Sequence, residues 1–267
     1  MSLVFAVTAS LFGLVAGFII NVLAIRLAAN KPLLGKLGCT RSAHPLRAWQ
    51  ALPVLGYLLQ RGRCAECGRT LSFSYPFTEL ATGLLFPVLF LLEGWGASFA
   101  FHCAYVAILL LVLVVDLRHR DIYLSVIAAG SAVALAGSFF LPEVGLAGAL
   151  IGAGVAGGFF LVAYLLARVL FPKIEEPLGL GDVFLALMMG LMLGFPNIVG
   201  ALVVGPLLAG AAVILLLVSR KRGLGDFIPY GVALCAASII FVLYPGPFAE
   251  ALRLPALVTL LSGIIRF

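Results

Sequence analysis

Hydrophobic residues fall along this chain in long runs, separated by short polar stretches. The runs lie near 3–27, 76–92, 97–116, 122–141, 145–170, 182–194, 197–218, 227–245 and 249–266. Most are about 17–25 residues long, the length that crosses a bilayer as a helix. A helix satisfies its own backbone hydrogen bonds, which lipid cannot do for it. The pattern predicts an all-α, polytopic membrane helix bundle of eight or nine transmembrane helices. The stretches 182–194 and 249–266 carry the ambiguity in that number, since the first is short and meets Gly194-Phe195-Pro196-Asn197. Only residues 28–75 form a sizeable extramembrane segment. The chain therefore divides into a first helix (1–27), a small loop domain (28–75) and a membrane bundle (76–267). The first run lacks a basic leader and a small-residue cleavage site and is longer than a signal-peptide core, so it reads as a true helix.

Composition agrees. Hydrophobic residues make up 63% of the 267 and charged residues 10%, against roughly 25% charged in soluble domains. A soluble core of this size has no room for so much apolar surface. The formal charge of +6 raises the question of nucleic acid, and its distribution answers it. Lys31, Lys36, Arg41, Arg47, Arg61, Arg63 and Arg69 lie in the 28–75 loop against one acid, Glu66. Arg118 and Arg120 follow the third run, Arg168 and Lys173 the fifth, and Arg220, Lys221 and Arg222 the seventh. The loops between carry Glu93, Glu143, Glu250 and a single Arg253. Basic residues in every second loop are the positive-inside pattern. It places the N-terminus outside and the 28–75 loop in the cytoplasm, with the lipid bilayer as partner and no nucleic acid.

Charges at membrane depth cost roughly 2.5–3.5 kcal/mol or more and mark function. Asp116 ends the run Ile108–Val115, and Asp182 opens the run Val183–Leu193. Both fall at the cytoplasmic boundary. Two carboxylates brought together there would share a proton, as an aspartic protease requires. The alternative is that each caps a helix or meets headgroups. Gly13-x-x-x-Gly17 and the Gly152–Gly158 cluster predict close helix packing. Asn21 reads as a helix–helix hydrogen bond, and Glu79 faces either the site or the loop. His102 and His119 read as interfacial.

Local sequence adds a resemblance. Gly179-Leu180-Gly181-Asp182, with Gly190 and Gly194 downstream, resembles the Gly-x-Gly-Asp motif of the prepilin leader peptidases, and Asp116-Leu117 before Asp121-Ile122-Tyr123 resembles that family's first catalytic segment. The loop is similar too. Trp49-Gln-Ala-Leu-Pro53-Val-Leu-Gly-Tyr57-Leu, Arg61-Gly-Arg-Cys64-Ala-Glu-Cys67-Gly and Tyr75-Pro-Phe-Thr-Glu79-Leu follow in the family's order. In the first run, Gly13-x-x-x-Gly17 leads to Asn21-Val22 and Arg26-Leu27, again as in the family. A second Gly-x-Gly-Asp, ending at Asp226, follows Arg220-Lys221-Arg222 and reads as a loop.

The resemblance implies an intramembrane aspartyl endopeptidase with Asp116 and Asp182 as its catalytic pair. It would cut the basic leader from prepilins or pseudopilins at the cytoplasmic face of the bacterial inner membrane. Many family members also methylate the new N-terminus with S-adenosylmethionine, although no nucleotide fingerprint stands out here. The family often carries two Cys-x-x-Cys pairs in the loop. Here Ser42 replaces one thiol, leaving Cys39, His44, Cys64 and Cys67 as candidate zinc ligands, or a degraded site. Phe18, Tyr123 and Phe184 also depart from the family's usual Ser, Pro and Lys. Two other readings remain: a transporter with a proton-relay carboxylate pair, and a catalytically retired scaffold.

The orientation is testable on cells. Single cysteines placed at Lys36 and Glu93 should react with an impermeant reagent at position 93 and not at 36; the reverse outcome would invert the topology.

Overall fold

The computed structural model describes residues 2–32, 35, 38, 47–172, 179–218 and 230–244. Among these residues the secondary structure is helical, apart from one isolated antiparallel bridge between Arg63 and Thr70. The helices are α1 (Ser2–Ala28), α2 (Leu55–Leu59), α3 (Ser74–Glu93), α4 (Ala97–His119), α5 (Leu124–Gly137), α6 (Gly145–Leu170), α7 (Leu180–Leu193), α8 (Asn197–Val218) and α9 (Tyr230–Leu243), with a 3-10 turn at Ala48–Ala51. Helices α1, α3, α4, α6 and α8 are long and apolar enough to cross a membrane. Helices α5, α7 and α9 are apolar but have 14 residues each, about 21 Å at 1.5 Å per residue. The expected bundle is therefore present, and its eight described apolar helices match the first eight runs. The ninth run, 249–266, lies outside the described residues.

Two compact units divide the chain, Met1–Val126 and Ile127–Phe267. In the first, α1 lies along α3, and both meet α4. Lipid tails are as apolar as leucine, so helices in lipid associate through close packing and polar contacts. Glycine supplies the closeness. A Cβ on Gly13 would come within 2.7 Å of the Thr82 carbonyl carbon, and one on Gly17 within 2.5 Å of Glu79 Cα. The Ser10 hydroxyl donates across the same seam to the Gly83 carbonyl at 2.8 Å. At its C-terminal end, α1 is closed by buried Arg26, which donates to the carbonyls of Pro32 (3.1 Å) and Gly35 (2.6 Å).

In the second unit, α6 packs along α7, and α8 along α9. A Cβ on Gly190 would sit 2.6 Å from both N and Cα of Ala153, and one on Gly152 would sit 2.9 Å from the Gly194 carbonyl carbon. The backbones of α6 and α7 thus touch where Gly152 and Gly190 face each other. Gly194 ends α7 at φ +64, and the Phe195 N–H then donates to the Gly148 carbonyl at 2.9 Å. By contrast, Gly154 and Gly158 face open space. The expected packing role of the 152–158 cluster therefore belongs to Gly152 and Gly157, the latter against Leu187.

Gly190→Ala should lower the thermal midpoint in detergent, equivalent to about 1–3 kcal/mol of overpacking. Gly154→Ala, on open helix surface, should hold or raise it by up to about 1 kcal/mol. Equal midpoints for the two variants would show that the α6–α7 contact does not limit stability.

Candidate active site

Asp116 does not end its helix. α4 runs on through Leu117 and Arg118 to His119, and Arg120 closes it in the left-handed conformation (φ 58), its N–H donating to the Asp116 carbonyl at 2.9 Å. Asp116 is thus one turn inside the helix and only 6% exposed, next to buried Val112, Val114 and Val115. Past the turn, a small cavity is lined by Val112, Val115, Asp121, Ile122, Tyr123 and Val126. The carboxylate therefore sits in protein, with a recess on the neighbouring face of its own helix.

A cation follows on the same helix but on another face. Arg118, two residues on, points into the α1–α3–α4 junction. Its Nη2 donates to Ser74 Oγ at 2.6 Å and, more weakly, to Asn21 Oδ1 at 3.4 Å, and its guanidinium lies 4.6 Å from the centre of the Tyr75 ring. Asn21 turns its amide nitrogen the other way, to the Tyr75 carbonyl (3.0 Å) and Glu79 Oε1 (3.2 Å). The second Glu79 oxygen accepts the Val54 N–H at 2.7 Å. Arg118, Asn21, Glu79 and the loop backbone at Val54 form one chain of polar contacts, with Asn21 and Glu79 buried. Topology alone accounts for Lys and Arg at the helix ends of the sequence; Arg118 has a packing role inside the first unit as well. Its position two residues after a membrane aspartate was the available signal. The expected role of Asn21 holds, and Glu79 turns out to face the loop through Val54.

Asp182 lies in the second unit, in the first turn of α7. Gly179 caps that helix with extended backbone and no side-chain bond, and its carbonyl accepts the Asp182 N–H at 3.1 Å. A carboxylate in a first turn benefits from the positive end of the helix dipole. Asp182 is half-buried, next to buried Val183, and Tyr230, the first residue of α9, is within electrostatic reach of it. The downstream glycines of the motif have a positional role, because Gly190 and Gly194 fix α7 against α6.

Cys64 and Cys67 occupy a tight turn in the loop. The Cys64 N–H donates to the Arg69 carbonyl and the Gly68 N–H to the Cys64 carbonyl, both at 2.8 Å, with Gly68 at φ +67. Cys64 is buried, Cys67 is part-exposed, and neither is in a disulfide. Cys39, His44 and Asp226 lie outside the described residues. Among the described residues, no group of three or more His, Cys, Asp or Glu is placed to hold a metal. His102, expected at the interface, is buried by protein and paired through Nδ1 to Glu93 Oε1 at 2.7 Å. His119 is exposed.

Two family models cover most of the chain. The bacterial peptidase A24 N-terminal domain matches residues 11–92, and the type IV leader peptidase family matches residues 103–217. The chain belongs to the type IV leader peptidase family. Relatives named prepilin leader peptidase/N-methyltransferase include one from Aeromonas salmonicida, 31% identical over 77% of this chain and 70% of its own length. Another, from Bacillus subtilis, is 26% identical over 88% of this chain and 92% of its own. A third, from Myxococcus xanthus, is 30% identical over 82% of this chain, and the match spans 65% of that longer protein. No solved structure matched. The first matched segment holds the loop, the Cys64–Cys67 turn and Glu79; the second holds Asp116 and the Gly179–Asp182 motif.

Proposed function

We propose that the chain is an aspartic endopeptidase that removes the leader from prepilin or pseudopilin substrates at the cytoplasmic membrane face, with Asp116 and Asp182 as its catalytic pair. The observation that carries this is Asp116 itself. It is a carboxylate buried one turn inside an apolar membrane helix, a costly position without a task. Support comes from Asp182, half-buried at the start of a short helix that glycine contacts hold in place, and from the family. In the reaction, one carboxylate accepts a proton from water as the water oxygen bonds to the scissile carbonyl carbon. The protonated partner hydrogen-bonds to that carbonyl oxygen and polarises it, then gives its proton to the leaving amine as the C–N bond breaks, so the pair still holds one proton at the end. The bond to be cut lies between a basic leader and an apolar helix, a junction that belongs at the depth of a membrane boundary.

We extend the proposal to two further groups. The Cys64–Cys67 turn holds two cysteines at Cys-x-x-Cys spacing in one tight bend, which suits half of a tetrahedral zinc site. Cys39 and His44 would complete it, and the metal would cross-link the loop. Methyl transfer from S-adenosylmethionine to the new N-terminus would follow cleavage; the relatives' names pair the peptidase with an N-methyltransferase.

Asp116→Asn and Asp182→Asn should each reduce precursor conversion by roughly 10³-fold or more, with the double variant no worse, because the pair acts as a unit. Asp226→Asn should keep most activity. Matched membrane levels and a gel of precursor and mature product decide it. Full activity in Asp182→Asn, or loss in Asp226→Asn alone, would move the catalytic role to the second copy of the motif. With S-adenosylmethionine added, the mature product should gain the mass of a methyl group; cleavage without that gain removes methyl transfer and leaves the peptidase reading standing.

Elemental analysis of the purified chain should find about one zinc per chain, lost in Cys64→Ser with Cys67→Ser. Metal-free protein of full activity and unchanged thermal midpoint would mean a degraded site.

A further inference from the structure

We propose that the loop segment 49–59 is an interfacial element that lies in the leaflet beside α3 and takes anionic lipid as its partner. α2 is a helix whose leucines point away from protein: Leu55, Leu58 and Leu59 are 57%, 60% and 64% exposed. Trp49 and Leu52, just before α2 in the chain, are also exposed. On a water-facing loop this patch would be a liability. At a bilayer boundary it matches an amphipathic surface helix, with tryptophan at headgroup level.

The way the segment is tied down sets its depth. The Val54 N–H is held by Glu79 Oε2 at 2.7 Å. Glu79 is five residues into α3, about 7.5 Å along the axis from Ser74, so the loop folds back beside a spanning helix instead of standing above it. The clamp holds Val54 at φ +60, a conformation that a β-branched residue adopts only when its surroundings impose it. The apolar face is also continuous with surface already assigned to lipid. Phe73, Phe77, Leu80 and Leu84 form an exposed stripe down α3, and Tyr57 of α2 packs edge-on against Phe73 with ring centres 6.4 Å apart. Arg61, Arg63 and Arg69 follow α2, all exposed, and supply the cationic rim that anionic headgroups attract.

The test uses the full chain in vesicles of equal parts phosphatidylcholine and phosphatidylglycerol, with acyl chains brominated near the headgroup or near the chain end. The chain has two tryptophans, Trp49 and Trp95. Trp95→Phe leaves Trp49 as sole reporter. Subtracting the emission of Trp49→Phe from that of the unmodified chain gives the same signal without disturbing Trp95, which packs on Phe99. Headgroup-proximal bromine should quench Trp49 at least about twofold more than chain-end bromine, as for a helix lying in the interface. Leu55→Glu with Leu59→Glu should cut that quenching by about half or more with helical circular dichroism unchanged. Three results would overturn the proposal: no quenching by either lipid, shielding of Trp49 that grows only with protein-to-lipid ratio, or shielding that requires an added prepilin. The second would assign the face to another copy of the chain and the third to substrate. Equal quenching in phosphatidylcholine alone would remove the anionic preference.

Discussion

Close approach between backbones is the constraint on which both units rest. Water drives no helix against another inside a bilayer, so what joins them must be contact at short range and the few polar bonds that lipid cannot offer. Gly13 and Gly17 let α1 settle onto the backbone of α3; Gly152 and Gly190 do the same for α6 and α7. Two positions of the candidate site ride on the helices of these seams. α3 carries Glu79 to the loop, and α7 carries Asp182 on its first turn. Helices held backbone to backbone place a carboxylate with little freedom, as a catalytic group requires.

Polar side chains in the first unit link its helices to the loop through a few contacts. Glu79 is buried, and both its oxygens have partners, one on another helix and one on the loop backbone. Asn21 uses its amide in both directions, accepting from Arg118 and donating to Glu79. Buried polar contacts of this kind favour one arrangement of the segments they join. Here they make the end of α4, two residues from Asp116, answer to the position of the loop.

The second unit contributes a different kind of site. Asp182 relies on the opening of a helix, with Gly179 as a bare cap and the dipole as its background. The two candidate carboxylates thus have unlike surroundings, one buried in the last turn of an apolar helix and one half-buried at a helix start. Unlike surroundings separate the roles of two acids in general acid–base chemistry.

Much of this was legible along the chain because lipid simplifies the code. A run of apolar residues of spanning length has one stable form, and charges are scarce enough that Asp116 and Asp182 are candidates by position, although position alone also fits helix caps and only the motifs around them favour catalysis. The loop glycines, the Cys64–Cys67 pair and the order of motifs carried the family. Other features were not legible, because they depend on which residues of distant segments meet. No spacing rule says that Gly152 faces Gly190 while Gly154 faces open space, or that α4 continues one turn beyond Asp116 to bring Arg118 back onto Tyr75. His102 looked like a residue at a span end and proved to be the buried partner of Glu93. The leucines of α2 read as a family signature, and only the bond from Val54 to Glu79 showed them lying beside a membrane helix. Hydrophobic length is a property of each segment alone, so sequence decides it; contact between segments arises only when the chain closes on itself, so tertiary structure decides that.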